Sequence, residues 1–361
     1  MSALPTGRVL VGDVLDRLAE LPSGSVDCVI TSPPYFQLRD YGVVGQLGLE
    51  SSVDGWVASL AAVCDELARV MTPAGGLWLN LGDSYSRGPT YGAPAKGLLA
   101  APERLLLALT ERGWLCRNKV IWAKPNPMPT SVRDRLNAAY EVIYFLVRSP
   151  RYYFALDLIR EPHRSRNVRR TTVAMDEKPH WAGPLAGKHD GLKRARPDGV
   201  PGHQLGRNPG DVWSIPTRGF RGAHFATFPE ALVTRPLLAS CPEAVCTACG
   251  EPLTRQVSVR RVPVTGPTAQ PRPGDAHVFR FKEFWNTVRT VGELVPCGCG
   301  APTRRGVVLD PFLGAGTVGL VAERLGRDWV GIELNPEFAR LATDRIAAAR
   351  RERAAEADRA A

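Results

Sequence analysis

Two short apolar runs, one near each end of the chain, stop at turns that a strand cannot pass through. Nothing else in the sequence constrains the fold as much. Near the amino end, Val26-Asp27-Cys28-Val29-Ile30 reads as a buried strand and runs into Thr31-Ser32-Pro33-Pro34-Tyr35. Proline has no N–H for a ladder and restricts the residue before it, so the strand ends there. The prolines make a short, stiff loop in which a hydroxyl, a backbone carbonyl and an aromatic ring face the same space. Such a loop suits a planar amino group: the oxygens accept its two N–H bonds and the ring stacks on the plane behind it. Near the carboxyl end, Gly306-Val307-Val308-Leu309 leads into Asp310-Pro311-Phe312-Leu313-Gly314-Ala315-Gly316-Thr317. Helical spacing then continues through Val318, Leu320, Val321 and Leu325.

Glycines at a strand-to-helix turn let a ligand approach the backbone closely. A second strand, Trp329-Val330-Gly331-Ile332, ends at Glu333, roughly 20 residues past the turn, where a carboxylate can hold ribose hydroxyls. The turn opens on Asp310 and lacks a third glycine, which separates it from the dinucleotide fingerprint. Asp310 before the glycines and Glu333 after them point to S-adenosylmethionine.

Between these ends the chain alternates. Arg8–Val11 reads as a strand, Val14–Leu21 as a helix, Val53–Met71 as an amphipathic helix, and Leu77–Leu81 as a strand. Pro102–Arg112 reads as a helix, and Lys119–Trp122 and Glu141–Val147 as strands. Such alternation predicts a mostly parallel sheet flanked by helices, with both turns at the carboxyl ends of central strands. From about 155 to 222 the periodicity fails, and arginines, lysines, glycines and prolines dominate around Trp181 and Trp213. The tail from Arg345 is rich in alanine and charge and reads as a fraying helix.

At 361 residues and 44% hydrophobic content the chain can bury a sizeable core. No apolar run approaches the length of a membrane span, and Met1-Ser2-Ala3-Leu4-Pro5 is no secretory leader, so a cytoplasmic protein is expected. The formal charge of +10 fits a polyanionic partner. Eight cysteines in such a setting argue against a disulfide framework. Cys28, Cys64 and Cys116 sit in apolar surroundings and read as core. Cys246-x-x-Cys249 and Cys297-x-Cys299 form two close pairs that suit one tetrahedral structural zinc, with Cys241 outside it.

The chain resembles the β class of DNA amino-methyltransferases, the cytosine-N4 and adenine-N6 site-specific enzymes. In that class the base-gripping motif precedes the cofactor motif, as Ser-Pro-Pro-Tyr precedes Asp-Pro-Phe-x-Gly-x-Gly-Thr here. Gly12-Asp13, Trp122-Ala-Lys124-Pro125-Asn126-Pro-Met-Pro129, Asn208-Pro-Gly-Asp211-Val-Trp213 and His224-Phe225-Ala226-Thr227-Phe228-Pro229 match as well. Tyr140 departs from the pattern, where a histidine before Glu141 is expected.

The resemblance implies an α/β chain with a circularly permuted, Rossmann-like methyltransferase fold, an inserted recognition region and a small zinc-ribbon-like insert. The expected order is a catalytic half at 1–154, a target-recognition insert at 155–222 and a returning helix at 223–240. A cysteine-rich insert at 241–304 and a cofactor-binding half at 305–361 complete it. Ser32, Pro33, Pro34 and Tyr35 are the implied catalytic residues. Asp13, Thr31, Phe228, Asp310, Pro311, Phe312, Gly314, Gly316, Thr317, Glu333 and Asn335 are implied for S-adenosylmethionine. Arg39, Lys124, Arg133, Arg169, Arg170, Arg194 and Arg207 are implied for double-stranded DNA.

The implied reaction is methyl transfer to the exocyclic amine of a flipped base. Serine at the first motif position favours cytosine N4 over adenine N6. Carbon-5 methylation needs a Pro-Cys nucleophile after the cofactor motif, and Pro296-Cys297 precedes it. A DNA-binding module with a degenerate nucleotide fold is the non-enzymatic alternative, and the intact motif residues argue against it. The recognition sequence, a cognate restriction endonuclease and the choice between monomer and homodimer stay open.

Overall fold

The computed structural model describes residues 4–161, 203, 205–217, 228–263 and 285–360. Within them the chain forms two compact units. The first comprises Met1–Leu158, Gly210–Thr254 and Pro296–Ala361, and the second Ile159–Pro209 and Arg255–Val295. Both cysteine pairs belong to the first unit, and Arg255–Val295 between them belongs to the second.

The first unit is built on one large sheet. Its strands are β1 (Arg8–Val11), β2 (Val26–Thr31), β3 (Met71–Leu81), β4 (Leu115–Ala123), β5 (Tyr140–Val147), β6 (Val212–Ser214), β11 (Val307–Asp310) and β12 (Asp328–Glu333). These eight strands lie in the order β1-β12-β11-β2-β3-β5-β4-β6. All neighbours pair in parallel except β5, which is antiparallel to both β3 and β4. The helices are α1 (Val14–Ala19), α2 (Val53–Val70), α3 (Ala101–Glu111), α4 (Glu230–Ser240), α5 (Thr317–Arg324) and α6 (Pro336–Ala360).

Near-continuous apolar runs make the central strands because both faces of the sheet are covered. Successive residues of β5 alternate between two cores: Val142, Tyr144 and Leu146 in one, Ile143, Phe145 and Val147 in the other. The first core packs under Leu18, Trp56, Leu60 and Leu105 of α1, α2 and α3. The second packs under Val233, Leu237, Val321 and Ala342 of α4, α5 and α6. Ser52 starts α2 by accepting from the Gly55 N–H at 3.2 Å, which satisfies one orphan donor of the first turn. Trp78 stacks on Phe145 with ring centroids 4.4 Å apart and its indole N–H donates to Ser240.

β11 connects to β12 on one side of the sheet, and β2 connects to β3 on the other. The point where the winding reverses therefore lies between β11 and β2, which pair through Val308–Cys28 and Leu309–Val29. Open α/β sheets bind ligands at such a point, beyond the carboxyl ends of the strands. Asp27, on β2, is 4% exposed and takes a forked ion pair from Arg304 at 2.6 and 3.0 Å plus the Val307 N–H at 2.8 Å. A buried carboxylate is tolerated because every oxygen is engaged.

In the second unit β8 (Thr254–Pro263) pairs with β9 (Trp285–Val295). A backbone bridge joins Glu161 and Arg207. Among the described residues no helix is long and apolar enough to cross a membrane.

Candidate active site

A cleft of about 670 Å³ opens in the first unit at the winding reversal, and both sequence motifs line it. Ser32, Pro33, Pro34 and Tyr35 line it together with Asp13, Pro311, Phe312, Gly314, Thr317, Glu333 and Asn335, and Phe228 and Arg39 are also on the lining. Thr31 is buried below the cleft and donates from Oγ1 to Asp310 Oδ1 at 2.7 Å, which ties the end of β2 to the end of β11. Asp310 also accepts the Phe312 N–H at 3.1 Å. Burial, reinforced by the Glu333 carboxylate, pushes the Asp310 carboxyl up to about 7.

Glu333 is fixed by backbone: Oε2 accepts from Gly314 N at 2.8 Å and Oε1 from Asn335 N at 2.9 Å. Its carboxyl is also raised by burial. The turn holds this shape because Gly314 and Gly316 adopt φ of 53° and 79°, where other residues are strained. Asn335 caps α6 through the Glu337 N–H at 2.8 Å. Asp13 caps α1 through the Leu15 N–H at 2.8 Å, so its position at the cleft is set by a helix start.

Around the Ser32–Tyr35 loop stand Asn80 and Glu141, given no role in the sequence, and Lys124. Tyr35 Oη lies 3.0 Å from Ser32 Oγ and donates to Glu141 Oε2 at 2.7 Å. Asn80 Nδ2 donates to Tyr35 Oη at 2.7 Å and to Glu141 Oε2 at 2.8 Å. Lys124 Nζ closes the set on Glu141 Oε1 and lies 4.6 Å from the centroid of the Trp122 ring. Burial and the Glu141 charge hold the Tyr35 phenol well above its ordinary range. The sequence signal for Asn80 is a polar residue interrupting an apolar strand, and for Glu141 its place beside Tyr140 at the start of the next.

The family model described as DNA methylase, of the N6/N4 methyltransferase type, matches residues 26–246 and 301–344. The chain belongs to the N6/N4 DNA methylase family. It is 32% identical over 356 residues to the Type II methyltransferase M.Cfr9I of Citrobacter freundii, covering 93% of this chain and 86% of that one. It is 31% identical to M.SmaI of Serratia marcescens, covering 96% and 92%. Among solved structures it shares its fold with the cytosine-N4-specific PvuII DNA methyltransferase, at a TM-score of 0.54, 16% identity and coverage of 96% and 92%. It also shares it with a putative DNA modification methylase of Thermus thermophilus, TTHA0409, solved with S-adenosyl-L-methionine. That likeness has a TM-score of 0.51, 20% identity and coverage of 95% and 93%.

Gly316 is off the cleft lining; a Cβ there would lie 2.9 Å from the Ala342 Cβ, so the glycine serves the packing of α6 on the turn. Lys124, expected at the DNA, lines the cleft with its ammonium paired to Glu141. Arg207 lies in the second unit, with its guanidinium on Glu161. Arg133 is exposed and off the cleft lining. Arg169, Arg170 and Arg194, with most of the 155–222 segment, lie outside the described residues.

The four cysteine sulfurs of Cys246, Cys249, Cys297 and Cys299 all lie within 4.8 Å of one another. β7 (Val245–Cys246) pairs antiparallel with β10 (Thr303–Arg304), and Gly250, Gly298 and Gly300 make the turns at positive φ. Backbone N–H groups of Cys249 and Ala248 draw the Cys246 thiol down to about 6, while hydrogen bonds shared with Cys249 and Cys297 push Cys299 up to about 12. One thiolate crowded by further thiols is the donor set of a soft metal.

Proposed function

We propose that this methylase transfers a methyl group from S-adenosylmethionine to N4 of a cytosine flipped out of double-stranded DNA, and that it protects a restriction site. One observation carries the reading: the Ser32–Tyr35 loop and the Gly314–Glu333 turn line one cleft, and Thr31 and Asp310 bond the ends of their two strands together. The cleft volume falls in the range of small-molecule sites. The residues present fit the cofactor, since Glu333 is an oriented acceptor suited to ribose hydroxyls and Gly314 leaves the backbone open to close approach. When bound, S-adenosylmethionine supplies an electrophilic methyl group. The order of the two motifs along a single doubly wound sheet supports a circular permutation of the Rossmann-like arrangement.

An exocyclic amine is a poor nucleophile because its lone pair is delocalised into the ring. Ser32 Oγ and the Pro33 carbonyl accept its two hydrogens and favour a tetrahedral nitrogen whose lone pair points across the cleft. Positioning then supplies much of the acceleration. Tyr35 stacks on the base. Serine at the first position favours cytosine; adenine N6 is the second reading. Mass spectrometry of nucleosides from treated DNA separates them: 4-methylcytosine is expected, 6-methyladenine replaces it under the second reading, and 5-methylcytosine refutes both. The basic 155–222 segment is assigned target recognition.

The cysteine cluster is assigned one structural zinc. Tetrahedral bonds of about 2.3 Å put sulfurs about 3.8 Å apart, close to the observed cluster. Its base is anchored to the catalytic sheet, because Arg304 of β10 clamps Asp27 of β2. Metal analysis is expected to give about one zinc per chain. A metal-free folded protein with four titratable thiols refutes it.

A further inference from the structure

The hydrogen bonds of Ser32 do not end at the cleft wall. From Ser32 Oγ to Tyr35 Oη is 3.0 Å, and from Tyr35 Oη to Glu141 Oε2 is 2.7 Å. Asn80 Nδ2 bonds both Tyr35 Oη and Glu141 Oε2, fixing that oxygen toward the phenol. Lys124 holds the other oxygen, and the Glu141 side chain is only 15% exposed. An ion pair this enclosed costs desolvation, and its carboxylate accepts directly from the Tyr35 phenol.

Methyl transfer to the amine forms a C–N bond and breaks the S–CH3 bond. It leaves a positively charged nitrogen carrying one proton too many. That cation is a strong acid, because losing the proton restores delocalisation of the lone pair into the ring. A carboxylate is base enough to receive it. We propose that Glu141 is the terminal acceptor of this proton, delivered through Ser32 and Tyr35. The proposal rests on the amine-binding role given to Ser32 and Tyr35 above. The amine proton passes to Ser32 Oγ as the Ser32 hydroxyl proton passes to Tyr35 Oη and the phenolic proton passes to Glu141 Oε2. Both hydroxyls end as they began, Glu141 becomes a neutral acid, and the methylated amine is neutral. The raised Tyr35 phenol stays protonated at rest, so it has a proton to hand on. Lys124 and Asn80 act as positioning residues for the carboxylate.

The test is single-turnover methyl transfer from labelled S-adenosylmethionine to unmethylated genomic DNA by the full chain. Glu141→Gln keeps the volume and the Asn80 bond but accepts no proton. Its rate is expected to fall about 10²-fold, the usual scale for general base catalysis, with cofactor and DNA affinity unchanged. Glu141→Ala is expected to be as slow and to regain rate in added formate, which leaves wild type and Glu141→Gln unaffected. A wild-type rate in Glu141→Gln, or a slow Glu141→Ala indifferent to formate, overturns the proposal. Nucleoside mass spectrometry on the same reactions separates the two levels. An amino-methylated product at full rate in Glu141→Gln removes Glu141 alone. A product methylated elsewhere removes the role of Ser32 and Tyr35 with it.

Discussion

The carboxyl ends of β2 and β11 sit side by side, yet they hold their functional groups by different means. At β11 the acceptors are locked by nearby backbone: Glu333 by the N–H groups of Gly314 and Asn335, Asp310 by that of Phe312. At β2 the groups are locked by distant side chains: Tyr35 by Asn80 of β3 and Glu141 of β5, with Lys124 behind them. The first arrangement is rigid before any ligand arrives and suits binding. The second joins hydroxyls to a carboxylate in series and suits handling a proton. Affinity and rate should therefore separate under mutation.

The largest expected effect is on the β2 side. Ser32→Ala is expected to slow the chemical step on the order of 10²-fold, because its acceptor role matters most as the amine becomes tetrahedral. Tyr35→Ala is expected to remove base stacking of about 1–3 kcal/mol. Neither should change cofactor affinity measured by calorimetry. A parallel loss of affinity in both would abolish the contrast between the two strand ends.

On the β11 side the expected loss is in affinity. Glu333→Ala removes a charged acceptor from the ribose hydroxyls, about 1.5–3 kcal/mol for each bond, and frees the Gly314 N–H it holds. An unchanged calorimetric affinity would take Glu333 out of the cofactor site. Asp310 adds a pH signature. Its folded carboxyl, raised to about 7 by burial, lies above its unfolded value, so the folded state binds the extra proton. Stability from this group is present at low pH and lost as pH rises from about 4 toward 7, at no more than about 1.4 kcal/mol per pH unit. Asp310→Asn is expected to flatten that decline in denaturant titrations of the cofactor-free protein. The same slope in the variant would assign the titration to another group.

The same contrast explains what could be read from the sequence. The cofactor turn was legible because its partners lie within one stretch, and the Gly314–Glu333 bond spans 19 residues. The Ser-Pro-Pro-Tyr loop was legible as a stiff strand end, but its partners were not. Asn80 and Glu141 reach Tyr35 across 45 and 106 residues, and only the strand order brings them together. Lys124 is expected from the sequence at the DNA, and its pairing with Glu141, 17 residues on, shows only in the fold. The four cysteines were legible by spacing, whereas the Arg304–Asp27 clamp beneath them joins residues 277 apart. The sheet itself followed from apolar runs and helical periods. The β8–β9 pair did not, because the basic Thr254–Pro263 run was not among the apolar stretches read as strands.

The smallest expected effect distinguishes two glycines of one turn. Both have positive φ, and from sequence both read as cofactor contacts. Gly314 lines the cleft and donates to Glu333; Gly316 is off the lining, with Ala342 and Ile346 where its Cβ would go. Gly316→Ala must place a methyl group 2.9 Å from the Ala342 Cβ and 3.2 Å from its Cα, so backbone has to move. Overpacking of this kind costs about 1–3 kcal/mol, and the left-handed φ adds strain. The variant is expected to melt earlier while the folded fraction binds cofactor as before. Gly314→Ala is expected to weaken cofactor binding, because a side chain there intrudes on the cleft and disturbs the N–H that orients Glu333. If Gly316→Ala instead lost cofactor affinity at an unchanged melting temperature, α6 packing would not be its role. The β11 turn would then be a single cofactor contact from end to end.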